Sequence, residues 1–267
     1  MDRAVRIAAE RWVAQGRRGV VVAVSEVKGS VPRERGTRML VGDGECIGTI
    51  GGGHLELQAI GIAREMLRSG ELQRHAQRFA LGPSLGQCCG GALELVFSAL
   101  DVSVLADWPV TTPRFHLQLY GAGHVGRAIA RVLATLDVSV DWIDERDAEF
   151  PRSLGGGEWP DHIRKLCVDE IDAEVPHAPA ASCYLVLTHS HDLDLRICEA
   201  VLRRSDFRYL GLIGSATKRE RFVHRFEARG IPPELIARMT CPIGLPTIVG
   251  KEPEVIAVSV VAQLLAS

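Results

Sequence analysis

The chain has no run of about 18 apolar residues, so no membrane-spanning helix is expected. Its first residues, Met1-Asp2-Arg3-Ala4-Val5-Arg6, are charged and no apolar stretch follows, so no secretory leader is expected either. An excess of one charge is also missing. The 31 Lys and Arg stand against 33 Asp and Glu, and a net charge of -2 gives no indication of a broad nucleic-acid surface. The cysteines number seven, an odd count. Without an export signal they are expected as reduced thiols of a cytoplasmic protein, not as a disulfide framework. There is no internal repeat and no low-complexity segment. What is present is the composition of a globular protein, 46% hydrophobic and 24% charged, in 267 residues. At roughly 100–200 residues per domain, that length favours two domains.

Residues 107–114, Asp107-Trp108-Pro109-Val110-Thr111-Thr112-Pro113-Arg114, hold two prolines and no apolar periodicity. They read as a linker between a domain of residues 1–106 and one of residues 115–267. In the first part, Val5, Ala8, Ala9, Trp12 and Val13 share a helical face that Gly16 ends. A valine-rich strand over 19–27, a hairpin across Gly42-Asp43-Gly44, a helix over 54–68 and strands over 74–80 and 92–99 follow. In the second part, strands are predicted over 115–120, 138–143, 163–168, 183–187, 209–213 and 238–241. Helices are predicted over 125–136, 193–203, 216–229 and 254–265. Apolar strands alternating with helices imply a parallel sheet covered on both faces. The expected fold class is α/β: a smaller mixed α+β N-terminal domain, then a Rossmann-like doubly wound parallel sheet.

The densest chemistry lies at Gly86-Gln87-Cys88-Cys89-Gly90-Gly91, a loop ahead of a strand. Adjacent thiols between glycines can bring sulfur close to a ligand, and thiolates suit thiophilic metals and sulfur exchange. A buried apolar Cys pair in a tight turn is the plainer alternative. Gly121-Ala122-Gly123-His124-Val125-Gly126 follows a strand and opens a helix, the setting in which G-x-G-x-x-G has meaning. There the helix start favours an anion, and Asp144, ending the next strand, is placed to hold a ribose hydroxyl. NAD(P), another phosphate or an unused fold feature all remain open. His189-Ser190-His191-Asp192 follows a later strand and offers metal or ligand contacts, against helix capping by Asp192 and ordinary loop histidines. Ser215 is a plausible N-cap. Lys218 and Arg219 behind it oppose the helix dipole, which an anion or acidic partner would explain and a solvated basic face would explain equally. The basic loop from Lys28 to Arg38 and the triple glycine Gly51-Gly52-Gly53 before a helix also suit an anionic ligand.

These segments together resemble the XdhC/CoxI family, the xanthine dehydrogenase accessory proteins. In the first half the resemblance rests on Gly29-Ser30-Val31-Pro32-Arg33, the stretch from Gly48 to Glu56, and the Cys88-Cys89 loop. In the second half it rests on the Gly121–Gly126 fingerprint, Asp144-Glu145-Arg146 and Thr188-His189-Ser190-His191-Asp192. Gly211-Leu212-Ile213-Gly214-Ser215 and Pro242-Ile243-Gly244-Leu245-Pro246 complete it. The resemblance implies an accessory protein, not an enzyme, that binds molybdenum cofactor and brings it to a cysteine desulfurase for sulfuration. It then delivers the cofactor to a xanthine-dehydrogenase-type molybdenum hydroxylase. Gln87 with Cys88 or Cys89 are the implied contacts, the thiols to the metal. The candidate cofactor-binding set also includes Gly51, Gly52, Gly53, Gly121, Gly123, His124, Gly126, Asp144, His189, His191 and Ser215. A homodimer is left open. The competing classes are an NAD(P)-dependent oxidoreductase, which gives the thiols no task, and a thiol redox protein. The latter lacks the C-x-x-C spacing and gives the Rossmann half no task.

Overall fold

The computed structural model describes residues 2–81, 91–108, 112–154, 157 and 159–267. The chain divides into two compact units, Met1–Thr112 and Pro113–Ser267, each with its own core. Among the described residues no helix is long and apolar enough to cross a membrane.

The first unit opens with α1 (Asp2–Ala14), whose Val5, Ala8, Ala9 and Trp12 are buried as the helical spacing predicts. Gly16, at φ 65°, then turns the chain. β1 (Val20–Lys28), β2 (Arg38–Val41), β3 (Cys46–Gly48), α2 (Gly53–Ser69), β4 (His75–Ala80), β5 (Ala92–Ala99) and α3 (Val102–Ala106) follow. The strands form an antiparallel sheet in the order β3-β2-β1-β5-β4. Side chains alternate between faces along β1. Val20, Val22 and Val24 pack with Leu55, Ala59 and Ala63 of α2, while Val21 packs with Trp12 of α1 and with Trp108. The five-residue α3 was not legible in the sequence, being too short for a periodic pattern.

Register places three loops at one end of this sheet. Lys28 of β1 pairs with Ala92 of β5, and Ala92 pairs with Ala80 of β4. Arg38 of β2 pairs with Ala23, and Gly48 of β3 pairs with Met39. The basic loop after β1, the glycine turn after β3 and the described residues Leu81 and Gly91 that flank the cysteine segment therefore lie at the same end of the sheet.

The second unit comprises β6 (His116–Tyr120), α4 (His124–Leu133), β7 (Ser139–Asp144), β8 (Ile163–Cys167), β9 (Cys183–Val186) and α5 (His191–Arg204). It continues with β10 (Tyr209–Leu212), α6 (Ala216–Ala228), α7 (Pro233–Ala237), β11 (Met239–Thr240) and α8 (Pro253–Ala266). All six strands are parallel, in the order β11-β10-β9-β6-β7-β8. Leu117, Leu119, Val140 and Trp142 face α4 and α8, while Tyr120, Ile143, Tyr184 and Val186 face α5 and α6. Both faces are buried, which is why the central strands are apolar almost throughout. Arg164 and Lys165 on the outermost strand β8 are exposed, a charged edge that discourages further pairing. The strand order reverses between β6 and β9, the switch point beside which ligands gather in doubly wound sheets.

Candidate functional site

In the first unit the glycine turn is dictated by space and backbone angle. Gly51, Gly52 and Gly53 have φ of 127°, 76° and 65°, which side-chain-bearing residues rarely adopt. A Cβ at Gly51 would fall 2.6 Å from Pro32, so this turn lies directly on the basic loop. No atom stands within 4 Å of a Cβ at Gly52, the residue ahead of α2. Part of the anion-binding capacity expected at this helix start is met within the chain. Glu56 accepts hydrogen bonds from the backbone N–H of Ile50 and of Gly52, each at 3.1 Å, and from the Thr49 hydroxyl. Glu56 sits one position beyond the spacing of a capping box, so the sequence pattern did not single it out.

Gln87, Cys88 and Cys89 lie outside the described residues. The residues on either side of that segment are described. The Leu81 N–H donates to the Gly91 carbonyl at 2.8 Å. A Cβ at Gly91 would fall 2.2 Å from the Ser30 carbonyl oxygen, so Gly91 must be glycine for the strand to pass the basic loop. The Gly91 flank of the cysteine segment is thus fixed beside Lys28–Ser30, and the Leu81 flank is held to Gly91.

The five described cysteines are not activated. Burial pushes the Cys183 thiol up to about 11 and raises those of Cys198 and Cys241. Burial is also the first cause at Cys46 and at Cys167, where the nearby Asp147 carboxylate adds to it. None of these five is a thiolate at neutral pH.

In the second unit the fingerprint glycines separate into two kinds. Gly121 has φ 117°, and a Cβ there would meet the Leu187 carbonyl oxygen at 2.3 Å. A Cβ at Gly126 would meet the Gly121 carbonyl oxygen at 2.1 Å. These two glycines are required by the packing of β6, α4 and the end of β9. Trp142 fixes the same turn by donating its indole N–H to the Gly121 carbonyl at 3.0 Å. Gly123 differs. It precedes α4 with an ordinary φ of -66°, and a Cβ there would meet nothing within 4 Å. Its missing side chain leaves open space at the helix start. His124, the first residue of α4, is exposed beside it.

Asp144 is only 2% exposed, and its carboxylate is occupied from within the chain. Oδ2 accepts from the Ala122 N–H at 2.6 Å and from Arg146 Nη2 at 2.9 Å. Oδ1 accepts from the Arg146 N–H and from Arg146 Nε, both at 2.9 Å. Burial works against the charge, but the Arg146 and Ala122 hydrogen bonds outweigh it and hold the carboxyl below the ordinary aspartate range. Asp144 thereby ties the glycine loop to the end of β7.

The loop after β9 lies beside these residues, since β6 pairs with both β7 and β9. His189, half exposed, approaches Glu145 at 3.4 Å. His191 is exposed in the first turn of α5. No group of three His, Cys, Asp or Glu side chains among the described residues is arranged to hold a metal ion. The cap of α5 is Ser190, which accepts from the Leu193 N–H at 3.4 Å; Asp192 does not fill that place. Ser215 caps α6 by accepting from the Lys218 N–H at 3.3 Å, as its place in the sequence predicts. The acidic partner of Lys218 proves to be Asp194, wholly buried on α5, at 2.6 Å. Asp194 also accepts from the N–H and hydroxyl of Thr188, and so fixes the His189 loop from beneath. The pairing roles of Asp194 and Arg146 were not legible in the sequence. Their partners lie on another helix or in the adjoining turn, and no periodicity records that.

A doubly wound dinucleotide-type domain behind a small antiparallel α+β domain is the class of protein that these two units define. Sequence comparison sharpens it. The XdhC Rossmann domain matches residues 117–264, and the XdhC and CoxI family matches residues 12–79. The chain belongs to the XdhC and CoxI family. It is 28% identical over 249 residues to the uncharacterized protein YqeB of Escherichia coli (strain K12), covering 91% of this chain and 42% of YqeB. The chain thus spans less than half the length of that relative. A crystal structure described as a xanthine dehydrogenase from Bacillus halodurans has a TM-score of 0.76 over 97% of this chain and 94% of that one. At 19% identity, that likeness shows the fold.

Proposed function

We propose that this protein is an accessory factor that carries molybdenum cofactor as cargo. It holds the cofactor through Cys88 or Cys89 with Gln87, presents it to a cysteine desulfurase for sulfuration, and hands it to a xanthine-dehydrogenase-type molybdenum hydroxylase. The observation that carries this reading is the convergence of three loops at one end of the first sheet. The flanks of the cysteine segment, the basic Lys28–Arg38 loop and the Gly51–Gly53 turn are far apart in sequence and share one edge. Such an edge matches the chemistry of the cargo. The metal end is thiophilic and suits paired thiols, while the pterin carries a phosphate that suits basic side chains and glycine backbone. The raised thiols elsewhere support the same assignment, since they leave the sulfur chemistry to the Cys88–Cys89 segment. Family membership and the xanthine dehydrogenase description of the Bacillus halodurans relative support the choice of client.

The test is direct loading. Purified protein is incubated anaerobically with molybdenum cofactor released from a molybdoenzyme, passed through a desalting column, and assayed for molybdenum by mass spectrometry and for pterin by fluorescence. Stoichiometric co-elution of metal and pterin is expected. Elution of the protein free of both would contradict the proposal.

A further inference from the structure

In a dinucleotide-binding sheet the carboxylate at the end of the second strand accepts a hydrogen bond from the ribose 2′-hydroxyl. Asp144 holds that position here, at the end of β7 and beside the glycine loop. A carboxylate has about four lone-pair sites. Four donors already fill those of Asp144: the Ala122 N–H, the Arg146 N–H, Arg146 Nε and Arg146 Nη2, at 2.6 to 2.9 Å. Two of the four come from one guanidinium, gripping both oxygens at once. Such a fork is strong because it is charge-assisted and bidentate. The rest of the loop keeps the geometry of a nucleotide site, with Gly121 and Gly126 packed as required and Gly123 open. The fold is therefore built for a dinucleotide up to one point, and at that point a neighbouring side chain has taken the ribose's place.

We propose that Arg146 is a specificity latch. By saturating Asp144 it denies the crevice a partner for an unphosphorylated ribose diol and so excludes NAD. A 2′-phosphate gains nothing from loss of the latch, because it would then face a carboxylate with no guanidinium beside it, held only by the backbone N–H groups of residues 122 and 146. The latch belongs to the second unit alone, and its test is blind to the cysteine segment, so either proposal can fail without the other.

The experiment is calorimetric titration of NAD⁺ and NADP⁺ into the full-length parent, Arg146→Ala, and the double variant Asp144→Asn/Arg146→Ala. Thermal melts confirm the fold of each. Should Arg146→Ala fail to fold, Arg146→Met, which fills the same space but has no side-chain N–H to donate to Asp144, takes its place with the same expected outcomes. Arg146→Ala is expected to bind NAD⁺ about tenfold or more tightly than the parent, the scale of one hydrogen bond to a charged group. NADP⁺ is expected to show no gain, and the NAD⁺ gain is expected to vanish in the double variant. NAD⁺ affinity equal in parent and single variant, including negligible binding by both, would overturn the latch. A gain that survives Asp144→Asn would also overturn it.

Discussion

Lys218 stands in the first turn of α6, where the helix dipole disfavours a cation. The cost is offset by Asp194. The two side chains are 11% and 1% exposed and meet at 2.6 Å, and Lys218 Nζ also donates to the Ile213 carbonyl at 2.9 Å. Asp194 in turn holds Thr188 on the loop after β9. A buried pair of this kind is weak evidence of net stability, but breaking it is costly because one charge is left without a partner. Lys218→Met should therefore destabilise the protein by about 3 kcal/mol in urea unfolding. Adding Asp194→Asn should recover part of that loss, since no charge then remains unpaired. A single-variant loss under about 1 kcal/mol, typical of a surface pair, would show that water still reaches Asp194.

At the scale of elements, the strand-to-helix turn from β6 to α4 shows which glycines serve the fold and which leave room for a ligand. Gly126→Ala places a methyl 2.1 Å from the Gly121 carbonyl and forces α4 off the sheet. It should cost about 2 kcal/mol or more, as overpacking does. Gly123→Ala meets nothing within 4 Å at a permitted φ and should cost under about 1 kcal/mol. Thermal unfolding followed by circular dichroism compares the two, and equal losses would contradict the division. The three glycines look alike in a sequence motif. Their roles part only when the carbonyls around them are in place. The same holds at the other glycine-rich start. The run Gly51-Gly52-Gly53 announces a turn before α2, but not that Glu56 returns to accept from the N–H groups of Ile50 and Gly52.

Over the whole molecule, the two-unit plan was legible because periodicity changes once along the chain. Valine alternation in β1 and the helical spacing of Val5, Ala8, Ala9 and Trp12 mark a sheet with helices on its faces. The apolar strands β6, β7, β9 and β10, each followed by a helix or turn, mark the parallel sheet, while its strand order appears only in the structure. The helices α3 and α7, five residues each, were not legible, since they are too short to show a period. The closure of Asp144 was not legible either. An Asp two residues before an Arg is common, and only the backbone turn after β7 folds one onto the other.

In the proposed role, sulfur from Cys88 or Cys89 holds the metal end of the cargo. That role is tested most directly by the double variant Cys88→Ala/Cys89→Ala, expressed in a host that makes molybdenum cofactor and purified beside the parent. Molybdenum and pterin are measured per mole of protein, with circular dichroism to confirm the fold. The parent is expected to carry both, and the folded double variant to lose nearly all the molybdenum. A folded double variant with the parent's molybdenum content would contradict it.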